Sequence, residues 1–208
     1  MTGPRSVSCG QDFTDVPMLT AEKEAELLSE RTRICFFTGH RVISRQRLVR
    51  LTELITLQTE AFIYQGFDIF LCGGARGFDL YAGGAVVRLQ KQHPSIRLVM
   101  VLPCPDQTRG WNEADRRLHR CLCEHADTFC LSADYDSGCM LRRNRFLVDH
   151  ASAGLAYYTG AYRSGTAQTL RYADTCHMPV INLADMLERE EEKEQEEEEE
   201  QEEQEEQG

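Results

Sequence analysis

The stretch "FDIFLCGGARGFDLYAGGAV", Phe67–Val86, decides the architecture. Its first half is a short apolar run, too short for a helix and rich in the aromatic and branched residues that suit a buried strand. Glycines end it at Gly73, Gly74 and Gly77, and a helical pattern then runs from about Phe78 to Gln92. A buried strand that passes straight into a helix through glycines is the opening half of a βαβ unit.

The same alternation recurs along the chain. "RICFFTG" (Arg33–Gly39) is a strand with a glycine stop, and Ser44 can cap a helix that places Leu48, Leu51, Ile55 and Phe62 on one face before Gly66. "IRLVMVLP" is a strand stopped by Pro103, with a polar helix from about Gly110 to Glu124. "ADTFCLS" is a weaker strand, followed by the turn "DYDSG" and the helix "CMLRRNRFLVDHA". "AGLAYYTG", a helix from about Gly165 to His177, and "PVINLA" complete the series. Strands joined by helices need crossover connections, hence a mainly parallel sheet with helices on both faces. The expected fold is a Rossmann-like, doubly wound α/β domain over residues 32–186. Residues 1–31 read as a flexible polar arm with a short helix at Thr20–Glu30, and residues 187–208 as a Glu/Gln tail that cannot bury apolar surface and is disordered or a fluctuating helix.

Charge follows this division. Fourteen of the 34 acidic residues lie after Leu187, against Arg189 and Lys193, so the tail carries −12 of the net −11 and the remainder is near +1. A near-neutral body lacks a general footprint for nucleic acid, and the tail repels phosphates, which argues against nucleic acid as the partner. No apolar run approaches the roughly 20 residues that span a bilayer, and no signal-peptide block opens the chain. Nine cysteines, odd in number and mostly inside apolar runs, suit a reducing compartment, so a cytoplasmic chain is expected.

In doubly wound sheets ligands bind outside the carboxyl ends of the strands. Those ends carry "TGHR", "GGARGFD", "LPCPDQTRGW", "DYDSGCMLRRNR" and "YTGAYRSGT", all rich in glycine, hydroxyl groups and arginine. Glycine lets backbone amides approach an anion, a helix N-terminus adds partial positive charge, and arginine offers a bidentate fork to phosphate. Arg76 could meet a phosphate, Asp79 could cap a helix or accept from a ribose hydroxyl, and Gly165 with Thr166 makes a second cradle. The competing reading is structural: glycine turns also let a helix pack close to a strand, Gly83 and Gly84 inside a helix are expected to be packing rather than ligand contacts, and Arg142 or Arg143 could pair with acids such as Asp149.

Other signals are weaker. Cys121, Cys123 and His125 cannot converge on one metal from a helix, since residues two apart differ by about 200°. "DYDSG" begins like a calcium loop, but the twelfth position from Asp134 is Arg145 rather than an acid. No metal is expected. Cys104 has no assignable partner histidine, His150 reads as a structural hydrogen-bonder, and Trp111 could stack on a base or serve the core.

Taken together and in order, "CFFTGHR", "GGARGFDLYA", "GCMLRRNRFLVDHAS" and "SGTAQTLRYA" resemble the YpsA-like branch of the SLOG superfamily, which joins the Smf/DprA and LOG proteins. The resemblance covers roughly Arg33–Ala184. It implies a Rossmann-like domain that binds a nucleotide or nucleotide-derived ligand, such as ADP-ribose, NAD or a nucleoside monophosphate, and it suggests a homo-oligomer. The implied pocket takes Gly39, His40 and Arg41; Gly73, Gly74, Arg76, Gly77 and Asp79; Arg143, Asn144 and Arg145; and Ser164, Gly165 and Thr166. LOG-type enzymes carry "PGG-x-GT-x-x-E", whose glutamate serves catalysis; here Thr169 stands at that position. No catalytic residue is therefore assigned. A ligand-binding or sensor role leads, with a hydrolase of a nucleotide-like ligand and DprA-like binding of single-stranded DNA as alternatives.

Overall fold

The computed structural model describes residues 16–160 and 163–206. Six strands form one parallel sheet: β1 (Ile34–Gly39), β2 (Ile69–Cys72), β3 (Arg97–Leu102), β4 (Asp127–Cys130), β5 (Ala153–Tyr157) and β6 (Val180–Asn182). Their spatial order is β4-β3-β2-β1-β5-β6. β1 is central, with Ile34 beside Ile69 of β2 and Cys35 beside Ala153 of β5.

The strands are buried on both sides, and their period of two sorts side chains into two layers. Cys35, Phe37, Phe70, Cys72, Leu98 and Met100 face one layer, formed with α2 (Arg45–Tyr64), α3 (Phe78–Leu89) and α4 (Glu113–Glu124). Ile34, Phe36, Ile69, Leu71, Val99 and Val101 face the other, formed with α1 (Ala21–Ser29), α5 (Cys139–Asp149) and α6 (Gly165–Thr175). This is the doubly wound Rossmann-like arrangement expected from the strand and helix pattern. The helix after β1 lies on one face and the helix after β5 on the other, so the sheet reverses its winding between these two neighbours. A crevice opens at that point.

Both chain ends depart from expectation. Residues 17–31 are part of the fold rather than a loose arm: Leu27 of α1 is fully buried, and the Cys130 amide bonds to the Pro17 carbonyl at 2.9 Å. Lys23 pairs with Asp127 at 3.2 Å, and Arg97 with Glu26 at 2.9 Å. The alternation of apolar and charged residues hid one buried leucine that is enough to dock a nine-residue helix. At the other end, α7 (Leu183–Glu206) is a helix docked on the fold, where disorder or a fluctuating helix was expected. Its first turns bury Leu183, Ala184 and Leu187 against the first layer. Glu190 and Glu191 then reach across to α2, with Arg50 to Glu190 at 2.8 Å and Arg47 to Glu191 at 2.5 Å. The rest of the Glu run propagates from that docked start, since extending a helix costs far less than nucleating one. Residues 1–15 of the arm, including Cys9, lie outside the described residues. Among the described residues, no helix is long and apolar enough to cross a membrane.

Candidate functional site

A cleft of about 610 Å³ lies over the carboxyl ends of β1 and β5, within the size range of small-molecule sites. Four chain segments meet there. The β1 end contributes Gly39, His40 and Arg41, and the start of α3 contributes Asp79. The first turns of α5 contribute Arg143 and Asn144, and the start of α6 contributes Ser164, Gly165 and Thr166. Nine of the expected residues therefore share one hollow.

The α6 rim is a capped helix N-terminus. Ser164 is the N-cap, its hydroxyl accepting from the Ala167 amide at 3.0 Å. The amides of Gly165 and Thr166 precede the first intrahelical donor, the Gln168 amide that bonds to the Ser164 carbonyl, so they are donors the helix itself cannot satisfy. They add to the positive end of the helix dipole. Asn144 sits beside them, its side-chain amide 3.5 Å from the Gly165 carbonyl.

His40 closes the opposite lip. Its Nε2 accepts from the Thr159 amide at 2.9 Å, which places the ring proton of the neutral form on Nδ1. Partial burial lowers its pKa, favouring that neutral form.

The floor is an ion pair. Arg143 and Asp79 are both about 95 % buried in their side chains, with Nη1 and Oδ2 3.7 Å apart. Burial raises the Asp79 carboxyl to about 6 against the opposing pull of Arg143 and of the Ala75 amide, and burial also lowers Arg143. Arg143 Nε and Nη1 have no hydrogen-bond partner. Both nitrogens are buried against the Gly73 backbone, so the guanidinium would have to turn to present them to an anion. Arg143 occupies this position because α5 buries the face Cys139–Arg143–Phe146–Leu147, putting the arginine in the middle of an apolar stripe.

The remaining expected residues stand elsewhere. Gly73 and Gly74 are buried and serve the protein itself: a Cβ on Gly73 would lie 1.5 Å from Arg143 Nη1, and one on Gly74 2.8 Å from Met100 Cε. Gly77, at φ +75°, turns tightly under the His40 and Arg41 carbonyls, and the Phe78 amide donates to the His40 carbonyl at 3.1 Å. Glycine is thus required at Gly73 so that an arginine can lie on the backbone, rather than a ligand. Arg76 is tied to Asp115 at 2.6 Å and borders a neighbouring hollow. Arg145 points away, its guanidinium 5.5 Å from the centre of the Tyr172 ring. Arg142 is bound to Asp136 and to Ser132 Oγ at 2.8 Å. Gly83 is a packing glycine as expected, with Leu122 Cδ1 2.9 Å from an added Cβ.

Sequence reasoning missed Thr38, Val42, Ala75, Met140 and Thr159, which also line the cleft. Met140 and Ala75 carry no chemical signal; Thr159 had one, a hydroxyl inside the quoted "YTG" turn. Cys121 and Cys123 approach different histidines, His125 at 4.0 Å and His119 at 3.7 Å. Among the described residues no group of three or more potential ligands could hold a metal. Cys104 is buried, which raises its thiol to about 11 and leaves it a poor nucleophile.

Comparison with known proteins agrees with this fold. A family model described as the YspA SLOG family (YpsA) matches residues 35–186. The chain is 32% identical over 104 residues to a UPF0398 protein of Halalkalibacterium halodurans, covering 49% of this chain and 55% of that protein. It is 28% identical over 144 residues to the prophage-derived protein YoqJ of Bacillus subtilis (63% and 80% covered), and 25% identical over 141 residues to UPF0398 protein YpsA of the same organism (64% and 78%). The chain thus spans about half the length of the first of these relatives. Among solved structures, DNA processing protein A of Helicobacter pylori, studied for its single-stranded DNA binding mode, superposes with a TM-score of 0.53 at 16% identity. That match covers 74% of this chain and 66% of the other. DprA of Streptococcus pneumoniae gives 0.51 at 17% identity, covering 74% and 50%. These two likenesses speak for the fold, while the family match extends over the four segments that build the cleft: the chain belongs to the YspA SLOG family.

Proposed function

We propose that this chain binds a small nucleotide or nucleotide-derived ligand, in a ligand-binding or sensor role, in the cleft between the ends of β1 and β5. One observation carries the reading. The α6 N-terminus and the buried Arg143, two of whose nitrogens make no hydrogen bond, line the same cleft. Together they form a phosphate site of matched charge. The polar turn at His40 and Thr159 would face the sugar end of such a ligand.

A second reading, hydrolysis of the bound ligand, is favoured by Asp79, a carboxyl in the cleft whose pKa of about 6 suits proton transfer near neutrality. DNA binding of the kind studied in the Helicobacter neighbour is a further use of the same fold.

Thermal unfolding with ADP-ribose, NAD or AMP separates these readings. Binding at 100 times Kd adds about 2.7 kcal/mol, which is about 5–10 °C for a domain of this size. Stabilisation with the ligand recovered intact supports the sensor. Released base or phosphate that disappears in Asp79→Asn supports the hydrolase. Stabilisation by none of the three, with salt-sensitive retention of single-stranded DNA, would replace both.

A further inference from the structure

Beside the cleft lies a second hollow of about 250 Å³, walled by Arg41, Ala75, Arg76, Gln107, Trp111 and Met140. Arg41, Ala75 and Met140 line the main cleft as well, so the two adjoin. We propose that this hollow is a nucleobase subsite, selective for a purine that carries an amino group; the inference rests on the nucleotide reading above and extends it.

Gln107 carries the argument. It is 7% exposed, and its side-chain nitrogen donates to both the Gly73 carbonyl (3.1 Å) and the Gly74 carbonyl (2.6 Å). That bonding fixes which way the carboxamide is turned, and it leaves Oε1 buried without a hydrogen-bond partner. A buried acceptor in that condition is unfavourable until a donor arrives. The exocyclic amino group of an aminopurine is such a donor.

The hollow's other walls suit a flat, neutral ring. Trp111 is half-buried, and its indole is set by an edge-on contact with His119, 5.6 Å between ring centres at 89°. His119 is itself buried, which lowers it to about 4, so it brings no charge at neutral pH. Arg76 is compensated by Asp115. Arg41, common to both hollows, stands where they join, so a ligand would place its phosphate at the α6 end of the cleft and its base at the Trp111 end. Indole and methionine sulfur both make good contacts with aromatic rings.

Trp111 is the only tryptophan in the chain, so the indole emission comes from a wall of this hollow. The test uses AMP, IMP and ribose 5-phosphate, with affinities from calorimetry and emission excited on the red edge of the indole band, where purines do not absorb. AMP is expected to quench Trp111 and to bind about 5- to 100-fold more tightly than ribose 5-phosphate, the contribution of one base stack. IMP, which lacks the amino group, is expected to bind about tenfold more weakly than AMP. Trp111→Ala should remove the stacking part of the AMP advantage, keep the AMP preference over IMP, and leave ribose 5-phosphate affinity unchanged. If AMP, IMP and ribose 5-phosphate bind wild-type protein equally, with no change in emission, the base subsite is refuted while the phosphate cleft stands. If none of the three binds, the subsite falls together with the nucleotide reading.

Discussion

Replacing Gly73 by alanine should unseat the arginine at the floor of the cleft. A Cβ there would lie 1.5 Å from Arg143 Nη1, 2.4 Å from Cζ and 3.0 Å from Nε, so the obstruction involves the whole guanidinium. Normal contact requires it to withdraw by about 2 Å, and α5 is packed by Phe146 and Leu147 against the sheet. The guanidinium must therefore leave Asp79, its buried partner. Breaking a buried pair from one side costs about 3–5 kcal/mol, a fall in Tm of roughly 6–20 °C for a chain of this size. The cost should be smaller at pH 5, where Asp79, at about 6, is already largely protonated. Gly84 provides the contrast from the same motif. An added Cβ there meets only Arg88 Nη1, at 3.5 Å, inside a helix. Gly84→Ala should stabilise by about 0.5–1 kcal/mol through helix propensity. Urea unfolding measures both, with the midpoint moving and the slope unchanged. A Gly73→Ala protein within 1 kcal/mol of wild type would mean that Arg143 does not lie on the Gly73 backbone, and the charge arrangement derived from it would be wrong.

Other consequences follow from the same contacts. The folded-state pKa of Asp79 lies above its ordinary 3.8, so between about pH 4 and 6 the native state binds more protons than the unfolded one. Stability should fall there as pH rises, by about 3 kcal/mol; Asp79→Asn should lack that fall, and parallel pH–stability curves for the two proteins would count against it. Removing the Ser164 hydroxyl (Ser164→Ala) should cost about 1 kcal/mol by uncapping α6 and weaken anion binding, both readable by unfolding with and without AMP. Truncation after Lys193 should cost under about 1 kcal/mol, because the apolar contacts of α7 and its ion pairs to Arg47 and Arg50 precede that point. A larger loss in calorimetry would show that the remaining Glu run contributes to the fold.

The fold was legible because periodicity of two and of 3.6 marks strands and helices with few competing interpretations here. Gly39, Gly73 and Gly77 even located the strand ends. The roles of the glycines were less legible, since the same residue serves a ligand's approach and a side chain's approach alike. Gly39 has Phe78 within 2.4 Å of an added Cβ, and Gly73 has Arg143; only tertiary contact distinguishes these from a ligand cradle. The three arginines of "LRRNR" look equivalent as a string, yet helical phase separates them. Arg143 falls in register with Cys139, Phe146 and Leu147 and is buried, while Arg142 and Arg145 project elsewhere. That phase was present in the sequence and could have singled out Arg143. The docking of α7 was not, because nothing local links Glu190 and Glu191 to arginines about 140 residues earlier.

The central claim is that the α6 N-terminus and Arg143 hold an anion together, and crystallography of the chain with ADP-ribose tests it most directly. Phosphate density is expected within hydrogen-bonding distance of the Gly165 and Thr166 amides, with Arg143 directed at it. Density for the phosphates on any other face of the sheet, or Arg143 unchanged beneath an occupied cleft with no phosphate near α6, would contradict it.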